Sequence, residues 1–252
     1  MIAGRIKELA GMCYHKNIPL YSDFLNLNEQ SVVWQTMTQL PPVSVKAVGG
    51  FDVYGQEINC CERKMFAFLP KDREVDLTLM PIEVINIEPV AAKFAEDLTH
   101  RDFLGALLNL GIERSLIGDI FVCDNSAYVI CHRRIADFIC SQLTRVRHTV
   151  VNTTLGAIVA DAVIKTTAIT STVASVRLDS MICSAFNLSR SSAIPLIEEA
   201  KCFVNGKLIT TNSYSPKAGD IISVRGMGKF VFDSESGVSK KGRIVINLRK
   251  YI

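Results

Sequence analysis

The chain has 252 residues, 48% apolar and 21% charged, enough for two or three small domains with cores of their own. No charge-free apolar run reaches the roughly 18 residues of a membrane helix, and Arg5, Lys7 and Glu8 interrupt the N-terminal stretch, which argues against a secretory signal. The net charge of +3 is uneven: residues 173–252 hold twelve basic and six acidic residues (+6) and the remainder is at −3, a distribution that suits a polyanionic partner for the terminal part.

Residues 1–75 mix helical and strand signals and form the first expected domain. RIKELAGM has apolar residues at helical spacing. In SDFLNLNEQSVVWQTM, Ser22 or Asn28 is the expected helix cap. Pro41 and Pro42 end that helix, LPPVSVKAVGG closes on a glycine pair, and CERKMFAFLP reads as a strand stopped by Pro70.

Residues 76–165 form the second expected domain. MPIEVINIEPV alternates as a strand. HRDFLGALLNLGI is a helix with Phe103, Leu104, Leu107 and Leu108 on one face and Gly111 as its stop. IGDIFVCDNSAYVICHRR is a hairpin turning at Asp124-Asn125-Ser126. RIADFICSQL is a second amphipathic helix, and HTVVNTTL a last strand. Strand, helix, strand, strand, helix, strand is the ferredoxin-like plan, which many RNA-binding domains share and which alone implies no function. GAIVADAVIKTTAITSTVAS, rich in Thr and Ser, reads as strand and linker.

Residues 173–252 are the third expected domain. Leu178, Met181, Ile182, Ala185 and Phe186 recur at helical spacing, Asn187-Leu188 turns, and Ser189 caps a second helix from Arg190 to about Ala200. Cys202 to Val204 is a strand, Asn205-Gly206 a hairpin turn, KLIT its return. Pro216 to Asp220 turns again into the strand DIISVRG. This pattern resembles the S-four RNA-binding domain, named after a ribosomal small-subunit protein. The resemblance is carried by Arg177-Leu178-Asp179, Ser189-Arg190, Leu196-Ile197, Val204-Asn205-Gly206, Gly219-Asp220 and Ser223-Val224. It implies that the two helices contact RNA, with Arg177 and Arg190 in the leading basic positions. Lys201, Lys207, Arg225 and Lys229 are expected to extend that surface, and Ser189 and Ser191 to add contacts at the helix start. Both arginines are expected to be exposed. Pro195 departs from the pattern and is expected to kink the second helix. Ala200 stands where a glycine is common.

FAEDLTHRDFLGALLNLGIERSLIGDI, followed by the last domain and its GMGKF segment, resembles the YlmH family, bacterial and plastid proteins named from their place beside cell-division genes. The resemblance implies a ribosome-associated RNA-binding protein. Related small proteins bind the large subunit near peptidyl-tRNA and assist stalled translation. Expected partners are therefore ribosomal RNA or the ribosome, with tRNA beside it, for a monomer in the cytoplasm or the plastid stroma.

In Thr99-His100-Arg101-Asp102, Thr99 and Asp102 read as a capping pair, while His100 and Arg101 are candidates for a secondary RNA contact. His132-Arg133-Arg134 reads as a solvated connection or a second basic spot. Eight cysteines without a C-x-x-C pair, Cys60 and Cys61 being adjacent, suit buried thiols in a reduced compartment. The four histidines show no metal-ligand spacing, and neither metal nor cofactor is expected. Arg177-Leu178-Asp179 looks like the catalytic segment of pseudouridine synthases but belongs to the helix of the last domain, with Asp179 read as a structural carboxylate. There is no H-I-G-H-like segment, and Gly49-Gly50 and Gly226-Met227-Gly228 do not form a nucleotide loop. The fold expectation is α+β in three small domains, a ferredoxin-like (RRM-like) middle one and a last one of two helices on a small sheet. The function expectation is non-catalytic RNA binding. The alternatives are an RNA-modifying enzyme with an unrecognised site in residues 76–155 and a cell-division adaptor.

Overall fold

The computed structural model describes residues 2–58, 61–71, 76–158 and 166–251. Cys60 and part of the linker after Ile158 lie outside them. The mixed α+β class is observed, and the chain divides into two compact units, residues 1–164 and 165–252.

The first unit opens with α1 (Ile2–Lys16), β1 (Leu20–Leu25), α2 (Leu27–Thr36), β2 (Val43–Val48) and β3 (Lys64–Pro70), the strands forming an antiparallel sheet in the order β1-β3-β2. The cap of α2 is Asn26, neither Ser22 nor Asn28. Its side chain accepts from the Glu29 N–H while Glu29 accepts from the Asn26 N–H, a reciprocal capping box. Ser22 instead lies in β1, where its hydroxyl accepts from the Phe66 N–H at 2.9 Å. Asn28 lies inside the helix.

Strand β3 is buried on both sides, so its apolar run is near-continuous rather than alternating. Phe66 and Phe68 pack against Ile6, Leu9, Ala10 and Cys13 of α1 and Val33 of α2. Met65, Ala67 and Leu69 face the other way, against Ile82, Val84 and Ile130. Burying each phenylalanine contributes roughly 2–3 kcal/mol.

The second half of this unit runs β4 (Ile82–Pro89), α3 (His100–Asn109), β5 (Ile117–Cys123), β6 (Ser126–His132), α4 (Arg133–Gln142), β7 (Arg145–Val146) and β8 (Thr149–Gly156). Its antiparallel sheet has the order β5-β6-β4-β8-β7, the ferredoxin-like order with the short β7 added at one edge. Ile85, Ile87, Val129 and Cys131 pack under α3 and α4 with Phe103, Leu107 and Ile139. Ile82, Val84 and Ile130 leave the opposite face and meet β3. The helix-free face, through which RRM-type sheets stack bases, is therefore covered by the β1-β3-β2 sheet. Half-buried guanidiniums stitch this packing. Arg63 donates to the carbonyls of Phe24, Ile117 and Arg114, and Arg114 donates to those of Ile117 and Gly118. Burial, and then the adjacent Arg63 cation, bring the Arg114 guanidinium down to about 10.

The second unit contains β9 (Thr166–Val173), α5 (Leu178–Phe186), α6 (Arg190–Glu198), β10 (Cys202–Val204), β11 (Lys207–Leu208), β12 (Ile221–Val224), β13 (Gly228–Val238) and β14 (Ile244–Tyr251). The antiparallel order is β11-β10-β12-β13-β14-β9. The two helices pack on one face of this sheet through Met181, Ile182, Ala193 and Ile197 against Cys202, Val204, Ile222, Val224, Phe230 and Phe232. The sheet is larger than expected, because residues 228–251 form a long hairpin and β9 pairs with its outer strand. Asn205 and Gly206 turn with φ of 49° and 74°, the paired left-handed residues of a tight hairpin. Helix α6 does carry Pro195, yet ends cleanly. The Lys201 N–H reaches the Leu196 carbonyl and the Ala200 N–H that of Ile197, a Schellman closure with Ala200 at φ 60°. That conformation explains why a glycine suits the position.

Candidate nucleic-acid interface

The first candidate surface is the start of α5 and α6. The Asp179 side chain has no exposed area. It accepts from Arg177 Nε at 3.2 Å, from Arg190 Nη2 at 2.8 Å and Nε at 3.0 Å, and from the Ser180 N–H at 2.8 Å. Burial pushes this carboxyl up, but the hydrogen bonds from Arg190, Arg177 and Ser180 together hold it below its usual range. The Arg177 side chain is only 32% exposed, against 60% for Arg190. The expectation that both arginines are exposed holds for Arg190 and is corrected for Arg177, which is half-buried. Both guanidiniums pair with one buried carboxylate, Arg177 from a half-buried position and Arg190 while staying largely exposed. Asp179 is thus a structural clamp between the helices.

Ser189 is the observed cap of α6. Its hydroxyl accepts from the Ser192 N–H at 3.2 Å and lies 2.8 Å from the hydroxyls of both Ser191 and Ser192. These exposed hydroxyls sit at the positive end of the helix beside Arg190, where anions are favoured.

The remaining expected contacts do not extend this helix surface. Lys229 follows the strand parity of Phe203 and Ser223, opposite to the side that carries Val204, Val224 and Phe230 into the core, and Arg225 lies over the Phe203 ring. Arg225 and Lys229 thus belong to the helix-free side of the sheet. Lys201 pairs with Glu199 at 2.7 Å. Lys207 is exposed on the edge strand β11.

The second candidate surface lies in the first unit. Thr99 and Asp102 form the expected capping box. The Thr99 hydroxyl donates to the carboxylate at 2.7 Å and its N–H at 2.9 Å, and with help from Arg147 and Arg101 these hold the Asp102 carboxyl below its usual range. His100 and Arg101 are exposed at this helix start. Arg101 lines an open depression of about 470 Å³ together with Arg145 and Arg147, with Asp102, Asn109 and Gln142 on its walls. All three arginines are exposed, and Asp102, 3.9 Å from Arg147 Nε, is the carboxylate facing them. Arg145 and Arg147 were not singled out in the sequence. The available signal was the R-V-R-H run between a helix and a strand, too short to separate from a solvated turn. The fold gives it meaning by closing β7 onto β8 beside the α3 start, with Arg147 held at φ 53°.

His132-Arg133-Arg134 is committed locally. The His132 ring accepts from the Arg134 N–H at 3.1 Å as the cap of α4, Arg133 pairs with Glu83 at 2.7 Å, and Arg134 reaches Asp23 at 3.5 Å. Burial, then the Arg134 charge, lower the pKa of His132. A cleft of about 490 Å³ beside these residues has Asp23 and Glu29 in its lining. Both carboxylates are engaged, one with Arg134 and the other in the α2 capping box.

Residues 70–158 match the family model described as "Putative RNA-binding domain in YlmH". This stretch contains the Arg101, Arg145 and Arg147 depression. Over 228 residues, 88% of this chain and 83% of the relative, the sequence is 28% identical to the Ribosome-associated protein quality control protein P2 of Bacillus subtilis (strain 168). Among solved structures, the Cell division protein ylmH from Streptococcus pneumoniae superposes with a TM-score of 0.49 at 21% identity, over 62% of this chain and 88% of that one. The chain is thus similar to YlmH proteins through its middle segment and to the Bacillus subtilis relative along most of its length.

Proposed function

We propose that the chain is a non-catalytic RNA-binding protein that docks on structured RNA of the ribosome. Its target is ribosomal RNA of the large subunit, with tRNA beside it, and its role is in translation or ribosome quality control in the cytoplasm. The observation that carries this reading is the convergence of Arg101, Arg145 and Arg147 around one open depression, within the stretch that matches the RNA-binding family model. Guanidiniums grip phosphate oxygens in pairs, and a folded RNA is read mainly through its shape and phosphate pattern. The serine-rich start of α6 and the +6 charge of residues 173–252 supply further phosphate contacts from the second unit. The name of the Bacillus subtilis relative places that protein with the ribosome, which sets the context.

Co-sedimentation with separated ribosomal subunits at low and moderate salt tests the reading. Salt-sensitive association with the large subunit is expected. Association with neither subunit at low salt would overturn it.

A further inference from the structure

The helix-free side of the second unit's sheet carries an ordered row. Phe203 stands directly opposite Ser223, and Ser223 opposite Lys229, so the three side chains leave β10, β12 and β13 on the same side. The Lys229 ammonium lies 4.7 Å from the Tyr251 ring centroid, which continues the row onto β14. At the other end the Arg225 guanidinium lies 5.4 Å from the Phe203 ring centroid. The Arg225 N–H bonds the Lys201 carbonyl at 2.8 Å, which ties the chain before β10 to the end of β12. The two rings are three strand spacings apart, about 14 Å at the usual ~4.8 Å per strand. Asp233 is paired with Arg249 and Glu199 with Lys201.

Each half-buried ring therefore has a cation against it. Structured phosphate alone calls for cations, whereas rings interleaved with cations on an open sheet are what unpaired nucleotides require. Bases stack on aromatic or guanidinium planes while ammonium groups take the phosphates. We propose that this sheet face holds a short stretch of single-stranded RNA. One base stacks on the Arg225–Phe203 pair, another on Tyr251, and Lys229 holds the backbone between them. The proposal rests on the RNA-binding reading above and adds to it a base-dependent site separate from the α5–α6 surface.

The test uses the full chain and two fluorescent ten-nucleotide probes, oligoadenylate and an abasic oligomer with the same backbone, at moderate salt. The wild type is expected to bind oligoadenylate about tenfold tighter than the abasic probe. Arg225→Lys retains the charge but removes the planar stack, and Tyr251→Leu retains apolar bulk. Each is expected to lose several-fold of the preference, and the pair together all of it, with abasic binding unchanged and thermal unfolding as for wild type. Arg225→Lys, at an exposed position, keeps the test valid should Tyr251→Leu disturb the fold. Equal wild-type affinity for the two probes, or a preference that survives in the double variant, overturns the sheet-face site. If ribosomal subunits are still bound in that case, the broader RNA reading stands. If neither probe nor subunit is bound, both fall.

Discussion

The Arg190 guanidinium meets the Asp179 carboxylate at 2.8 Å, linking the first residue of one helix to the first turn of the helix before it. With Arg177 on its other side, the carboxylate has no exposed surface. A buried carboxylate is stable only while its partners are in place. Replacing both arginines by alanine would leave Asp179 with only the N–H and hydroxyl of Ser180, uncharged donors. The expected loss is about 2 kcal/mol, less than for a fully buried pair because both guanidiniums are partly in water. Urea unfolding followed by far-UV circular dichroism measures it. An unchanged midpoint would mean the clamp carries no stability. The two arginines are consequently poor probes of RNA binding, since a loss of affinity would be mixed with a loss of structure.

The same carboxylate sets a pH dependence. Its folded-state pKa lies below that of the unfolded chain. The folded state therefore binds the proton less readily, and the stabilisation is complete above the unfolded carboxylate value of about 3.9. It is lost as pH falls from there through the lower folded value. Asp179→Asn is expected to flatten this part of the acid limb. Urea midpoints at pH 7, 4 and 3 for the two proteins supply the comparison, and parallel curves would assign the acid limb to other groups.

Ala200 closes α6 in the left-handed region at φ 60°. A side chain there costs roughly 1 kcal/mol, part of which a glycine returns to the flexibility of the unfolded chain. Ala200→Gly is expected to raise stability by about 0.5 kcal/mol, seen as a small increase in Tm. A lower Tm would mean that the methyl group packs more favourably than the backbone is strained.

Arg147 also sits in the left-handed region, at φ 53°, in a turn where glycine or asparagine is usual. Arg147→Gly is expected to leave stability unchanged or slightly higher while weakening RNA association. The slope of log affinity against log salt should become shallower by about one unit, as for one lost phosphate contact. An unchanged slope would remove Arg147 from the interface.

Local chemistry made much of this fold readable from the sequence. The Thr99 and Asp102 capping box, the Asn205-Gly206 turn and the spacing that buries Phe103 and Leu107 depend on residues close in the chain. The cap of α2 was equally local, since Asn26 and Glu29 have capping-box spacing, but Ser22 and Asn28 competed as candidates. What the sequence hid depends on distant packing. The covering of the middle sheet by β3 follows from residues 65–69 meeting Ile82, Val84 and Ile130. Arg177 and Arg190 share one carboxylate because the second helix folds back onto Asp179. The division of the basic residues between the two sides of the last sheet follows from strand register, which the cross-strand pairs of Phe203, Ser223 and Lys229 fix.

The central claim is that this chain docks on ribosomal RNA through its arginine-lined depression and the start of α6. Ultraviolet crosslinking of the chain bound to large subunits, with mass spectrometry of the nucleotide-bearing peptides, tests it most directly. RNA adducts are expected on peptides spanning residues 101, 145–147 and 189–191. Binding to the subunit with no RNA adduct on any of those peptides would contradict it.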